Sequence, residues 1–258
     1  MKKTTSDIGL NKTGIATSPI DSADIIQEAK KHQPSHLGDE QLILKVRHQY
    51  MLEADGLGTV PPPATLKGMA KTAVDMLKGS KPTVLIDKIG ERLAFERTGT
   101  RLYESALGKY DAFGSWEAGP TREGLERILN DEFSHFVLLT EVMVKLGADP
   151  TAVTPCADLA AVMSKGIPDV LADPRINLRQ SLEALLVAEL TDNASWELLI
   201  ELARGAGHID IADRFQHALT AEAQHLVMVK GWLAAGIATE ARAAMPTADA
   251  SVGAPAST

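Results

Sequence analysis

Four stretches of this chain carry the polar and apolar patterning of long helices, and glycine, proline and capping residues mark their ends. Pro82 sits where a helix begins, so the first is expected over about Thr83 to Leu107. The segment Gly108 to Pro120, with three glycines around Tyr110, Phe113 and Trp116, reads as a loop that folds its aromatics back onto the helix ends. Thr121 caps a second helix that runs to about Leu146 and stops at Gly147; its Leu125, Ile128 and Leu139 fall on one stripe. Asp173-Pro174 predicts the start of a third helix ending at about Arg204, before Gly205-Ala206-Gly207. Asp210 with Asp213 opens the fourth, and Gly236 closes it.

The remaining segments have weaker patterns. Residues 1–38, rich in Ser, Thr, Lys and Asp, predict a disordered arm. Residues 39–82 predict accessory helices, about Asp39 to Ala54 and Ala64 to Leu77, around a stiff linker ending in Pro61-Pro62-Pro63. Residues 148–172 are a crossover with a short helix over Cys156 to Ser164, and residues 237–258 predict a disordered tail.

The chemistry enters through a repeat. Glu132-Phe133-Ser134-His135 in the second helix has the same spacing as Glu222-Ala223-Gln224-His225 in the fourth. Residues three apart on a helix share a face, so each copy aims a carboxylate and an imidazole at one spot. One such motif means little, because the glutamate and histidine content supplies about half a match by chance. The preceding helices repeat as well: Glu96, Thr98, Tyr103 and Glu104 align in register with Glu189, Thr191, Trp196 and Glu197. The chain therefore reads as a duplicated helical hairpin, all-α, with residues 83–236 as a four-helix bundle joined by one long crossover.

Helices that contribute one Glu each, facing helices that contribute Glu-x-x-His each, are how di-iron and di-manganese carboxylate centres are built. On Glu96, Glu132, His135, Glu189, Glu222 and His225 the chain resembles the ferritin-like superfamily, and its rubrerythrin-type branch more than the cage-forming ferritins. That resemblance implies two iron ions, with two manganese as the alternative. One ion would be held by Glu96 and His135, the other by Glu189 and His225, with Glu132 and Glu222 bridging. It also implies reaction with peroxide or O2 and, since the chain lacks a four-cysteine rubredoxin module, an external electron donor protein. Iron sequestration without an organic substrate, a di-manganese catalase, and an oxygenase with residues 110–116 as a lid are the rival expectations. The null alternative is a metal-free helical interaction protein.

Helical phase adds neighbours. Tyr103 lies seven residues after Glu96 and Trp196 seven after Glu189, so both face the interior. Asp192, three after Glu189, is placed to accept a hydrogen bond from the outer nitrogen of a ligating histidine, and its counterpart in the first hairpin is Gly99. Glu104 and Glu197 are expected to be solvated, as are Glu91, Arg92 and Arg97 to Arg101; His217 is expected at the surface or paired with Asp213, and Met228 in the core.

Bulk properties narrow the field. A formal charge of −8 with no basic stripe argues against nucleic acid as a partner. The single cysteine, Cys156, excludes a disulfide within the chain and a cysteine-held iron-sulfur cluster within one chain. No stretch reaches the roughly twenty apolar residues needed to span a bilayer, and the N-terminus lacks an apolar export region, so the expectation is a cytoplasmic protein, a homo-oligomer such as a dimer.

Overall fold

The structure is a computed structural model that describes residues 10, 13–35, 38–64 and 81–243. Among these residues it is all-α, with no strand, and no helix is long and apolar enough to cross a membrane. The chain divides into two compact units, residues 1–55 and 56–258.

The first unit holds a 3-10 turn at Ile15–Thr17, then α1 (Pro19–Lys31) and α2 (Glu40–Glu53). The composition of residues 1–38 predicts no structure, yet α1 forms there. Pro19 at its first turn, Asp21 near its N-terminus and Lys30 and Lys31 in its last turn all agree with the helix dipole. Asp39 caps α2 by accepting from the Gln41 amide at 2.9 Å. The expected helix over Ala64 to Leu77 falls almost entirely outside the described residues.

The second unit contains four long helices: α3 (Pro82–Phe113), α4 (Arg122–Leu146), α7 (Leu178–Gly205) and α8 (Ile209–Ala243). Helix α3 packs on α4 and α7, while α8 packs on α7 and α4, which closes a ring of four. Between the hairpins run α5 (Pro155–Ser164) and α6 (Gly166–Ala172), seated on α3. Gly90 permits that seat, because a Cβ there would lie 2.5 Å from the Thr154 hydroxyl. Asp87 completes it by accepting from the Cys156 amide at 2.9 Å.

Three helix ends differ from the sequence pattern. Helix α3 continues through Gly108 to Phe113, so Tyr110 and Phe113 are helical; there Lys109 is buried and donates to the carbonyls of Asp173 and Ile176. Helix α7 starts at Leu178 rather than Pro174, because Asn177 and Gln180 form a capping box that satisfies two amide donors, while Asp173 instead binds Arg175. Helix α8 runs past Gly236, whose missing side chain makes room for Trp116: a Cβ would come within 2.7 Å of that ring. Trp116 in turn donates to the Trp232 carbonyl at 3.1 Å, so one of the three aromatics does fold back as expected. The α4 boundaries match the pattern, with Thr121 accepting from Gly124 and Gly147 left-handed at φ 82°.

The ring encloses two apolar clusters. One contains Leu93, Leu139, Trp196, Phe215 and Ala218; the other contains Leu102, Ile128, Leu185 and Val229. Along every helix the repeated acidic residue falls between a member of one cluster and a member of the other. A polar layer thus crosses the middle of the bundle with low-polarity packing above and below it, where charges interact strongly and unpaired ones are costly.

Candidate metal centre

All six repeated residues lie in that layer and all are buried: Glu96 and Glu222 are fully so, and Glu132, His135, Glu189 and His225 nearly so. Side-chain atoms of Glu132, Glu189, Glu222 and His225 form one group that could hold a metal ion, and those of Glu96, His135 and Glu222 form a second. Glu222 belongs to both. A third group joins Asp192 to Glu96, Glu132 and Glu222.

Both histidines turn Nδ1 toward the carboxylates. His135 Nδ1 is 2.6 Å from Glu222 Oε1 and 3.6 Å from Glu96 Oε2. His225 Nδ1 is 3.1 Å from Glu222 Oε2, 3.8 Å from Glu132 and 4.0 Å from Glu189. The far nitrogen of His225 donates to Asp131 Oδ2 at 3.1 Å, which fixes the ring so that its other nitrogen serves the layer.

The two aromatic residues predicted to face inward cross between hairpins. Trp196 on α7 donates its indole N–H to Glu96 Oε1 on α3 at 2.9 Å, and the Tyr103 hydroxyl on α3 donates to Glu189 Oε1 on α7. Asn193, one turn after Glu189, donates to the Glu189 and Glu222 carbonyls and ties α7 to α8 at this level.

Two expectations are corrected. Asp192 is buried but does not serve a histidine; it faces Arg92, whose Nη2 is 2.8 Å from Asp192 Oδ1. Asp131, immediately before the first motif's glutamate, has the role expected of Asp192. Arg92, expected to be solvated, is only 2 % exposed. Its Nε donates to Glu96 Oε1 at 3.2 Å and its guanidinium stacks 4.3 Å from the Phe95 ring centre. Arg97 and Arg101 are solvated, as are Glu104, Glu197 and His217. Met228 is half-buried against the second apolar cluster.

Satisfaction of this layer is incomplete. Glu96 Oε2, Glu132 Oε2, Glu189 Oε2, Asp192 Oδ1 and Glu222 Oε1 are buried without a well-aligned hydrogen bond, although Asp192 and Glu222 have Arg92 and His135 close by. Burial, followed by the charge of Glu222, pushes Glu132 well above the ordinary carboxylate range and Glu189 up to about 8. Burial likewise raises Asp192, and Arg92 only partly offsets it. For His135 burial opposes the charge, yet the facing carboxylates of Glu222 and Glu96 outweigh it and push the ring up to about 10. Glu222 is held down to about 2 because the two histidines overcome its burial. Desolvation raises Tyr103 well above a normal phenol, so it stays a donor.

A cluster of acceptor atoms facing one another, with two imidazoles and few donors, is the arrangement a cation completes: these buried Glu and His groups could hold a metal ion. Comparison with protein families, characterised proteins and solved structures finds no match to this chain.

Proposed function

We propose that the chain is a ferritin-like di-iron carboxylate protein that reduces peroxide or O2 with electrons from a separate donor protein. The observation that carries this reading is the set of buried carboxylate oxygens left without aligned partners around two inward-turned imidazoles. Hydrogen-bonding waters or a positive side chain would satisfy such oxygens on a surface; in this layer Arg92 is the one fixed positive side chain among the charged contacts.

Charge supports two ions rather than one. Glu96, Glu132, Glu189, Asp192 and Glu222 carry −5 when ionised, Arg92 carries +1, and two divalent ions would bring +4, for a sum of zero. Carboxylate-rich sets with one imidazole per ion suit iron or manganese better than zinc.

Glu96 and His135 would hold one ion, Glu189 and His225 the other, and Glu132 and Glu222 both. Two such ions, when bound, would supply a pair of electrons to an O–O bond. Tyr103 and Trp196 keep Glu189 and Glu96 oriented through their donated bonds, and Asp131 keeps the His225 lone pair inward. The apolar clusters above and below exclude bulk water from the layer.

Elemental analysis of protein purified without chelator or nickel tests this directly. Two irons per chain, oxidised by added peroxide, are expected; a His135→Ala, His225→Ala double variant that keeps stoichiometric metal would sink the ligand assignment. Two manganese per chain would assign catalase chemistry to the same residues.

A further inference from the structure

Two cavities of about 240 and 140 Å3 adjoin on the seam between α3 and α7, sharing Glu91, Arg92 and Ser195. Their walls are otherwise mostly apolar, with Val84, Leu198 and Leu202 in the first and Phe95, Met163 and Ile167 in the second. Arg92 is at once part of their lining and the partner of Glu96 and Asp192, so one side chain separates the groove from the carboxylate layer.

We propose that this groove admits a neutral organic hydroperoxide and that Arg92 is the positioning residue at its inner end; the inference rests on the di-iron reading above. Size points to an organic body, since a water-sized molecule takes up only about 30 Å3 in the liquid. Charge points to a neutral one. Lys88 is 2.6 Å from Glu91, and Arg92 is turned onto Glu96 and Asp192, so a charged ligand would have to break an ion pair while a neutral one leaves both intact. The apolar body lies against Phe95 and Ile167, and the peroxy head meets Arg92.

The hydroperoxide would take up two protons and two electrons, the latter supplied through the bound metal from the external donor, so that its O–O bond breaks and an alcohol and water leave.

The test uses the full-length protein as purified, with cumene hydroperoxide and its alcohol product, 2-phenyl-2-propanol, as probes. Ser195→Phe fills the shared part of the groove and Val187→Phe its second half, while Leu190→Phe, exposed on the same helix outside the groove, is the control. Calorimetric titration with the alcohol is expected to show binding weakened about tenfold or more by each groove variant and unchanged by the control. The rate with cumene hydroperoxide relative to that with hydrogen peroxide is expected to fall by a similar factor, with metal content unchanged. Absence of alcohol binding to the parent protein, or a folded Ser195→Phe and Val187→Phe pair that leave both quantities as they were, overturns the groove while the di-iron reading stands. A parent protein without metal overturns both, and elemental analysis reveals that separately.

Discussion

Tyr103 and Glu189 lie 86 positions apart on different hairpins, and the tyrosine hydroxyl donates directly to the buried carboxylate. Burial and the repulsion of Glu222 push the Glu189 pKa up to about 8, and this bond, after the charge of His225, limits the rise. In Tyr103→Phe, Glu189 is expected to take up a proton more readily, and unfolding of the metal-free protein to shift by about 1–3 kcal/mol. The pH needed for half-maximal metal uptake should rise, which a metal titration at several pH values measures; an unchanged midpoint would remove Tyr103 from the site.

Gly99 gives a sharper test, since a Cβ there would stand 1.9 Å from Glu132 Oε2. Gly99→Ala favours the helix intrinsically by up to about 1 kcal/mol but evicts the Glu132 carboxylate from its place. The expected variant is folded, with thermal stability near that of the parent, and binds metal about 10–100-fold more weakly. Parental affinity in that variant would show that Glu132 is not needed where it lies.

Arg92 and Asp192 form a buried pair, so removing one partner strands the other. Arg92→Met is expected to cost about 3–5 kcal/mol of folding stability. Adding Asp192→Asn should recover a good part of it, and a double-mutant cycle by urea unfolding would show coupling beyond the sum of the single changes.

The protein stripped of metal should lose stability as pH rises from about 5 toward 9. Glu189, raised to about 8, contributes stability that is present below its unfolded value near 4.5 and disappears as pH climbs through 8. His135, raised to about 10, contributes in the same direction, fully below 6.5 and lost toward 10. Glu222, lowered to about 2, acts oppositely but only as pH falls below its unfolded value, outside this window. Metal must displace the protons that remain, so the increase in melting temperature on adding ferrous iron should be larger at pH 8 than at pH 6. An increment that does not change with pH would contradict the protonation pattern.

The six central residues were legible because two weak spacings recurred in matching helices, and helical phase then brought in Tyr103 and Trp196. Arg92 was not legible. It sits among Glu91, Arg97 and Arg101 in what reads as a charged outer face, and only its pairing with Asp192, a hundred positions away on α7, makes it interior. Asp131 had a local signal, an acid directly before Glu132 where the second motif has Ala221, but its task depends on α8 crossing α4 at that height. The α7 start was misread: Asp173-Pro174 looks like a helix start, but Asn177 with Gln180 satisfies two donors and begins the helix, and the carbonyls of Asp173 and Ile176 serve Lys109 instead. Gly108 reads as a stop, but the packing of Lys109 beyond it keeps the helix going.

The difference between Gly99 and Asp192 makes the two halves of the layer unequal. The two hairpins began alike in pattern, yet at this one height one carries no side chain and the other an acid with its own arginine. If the layer takes two ions, as proposed above, they would not enter at random: the first would go where the local field is more negative, its charge would alter the field felt by the second, and a protein holding a single ion would be a defined species with one address.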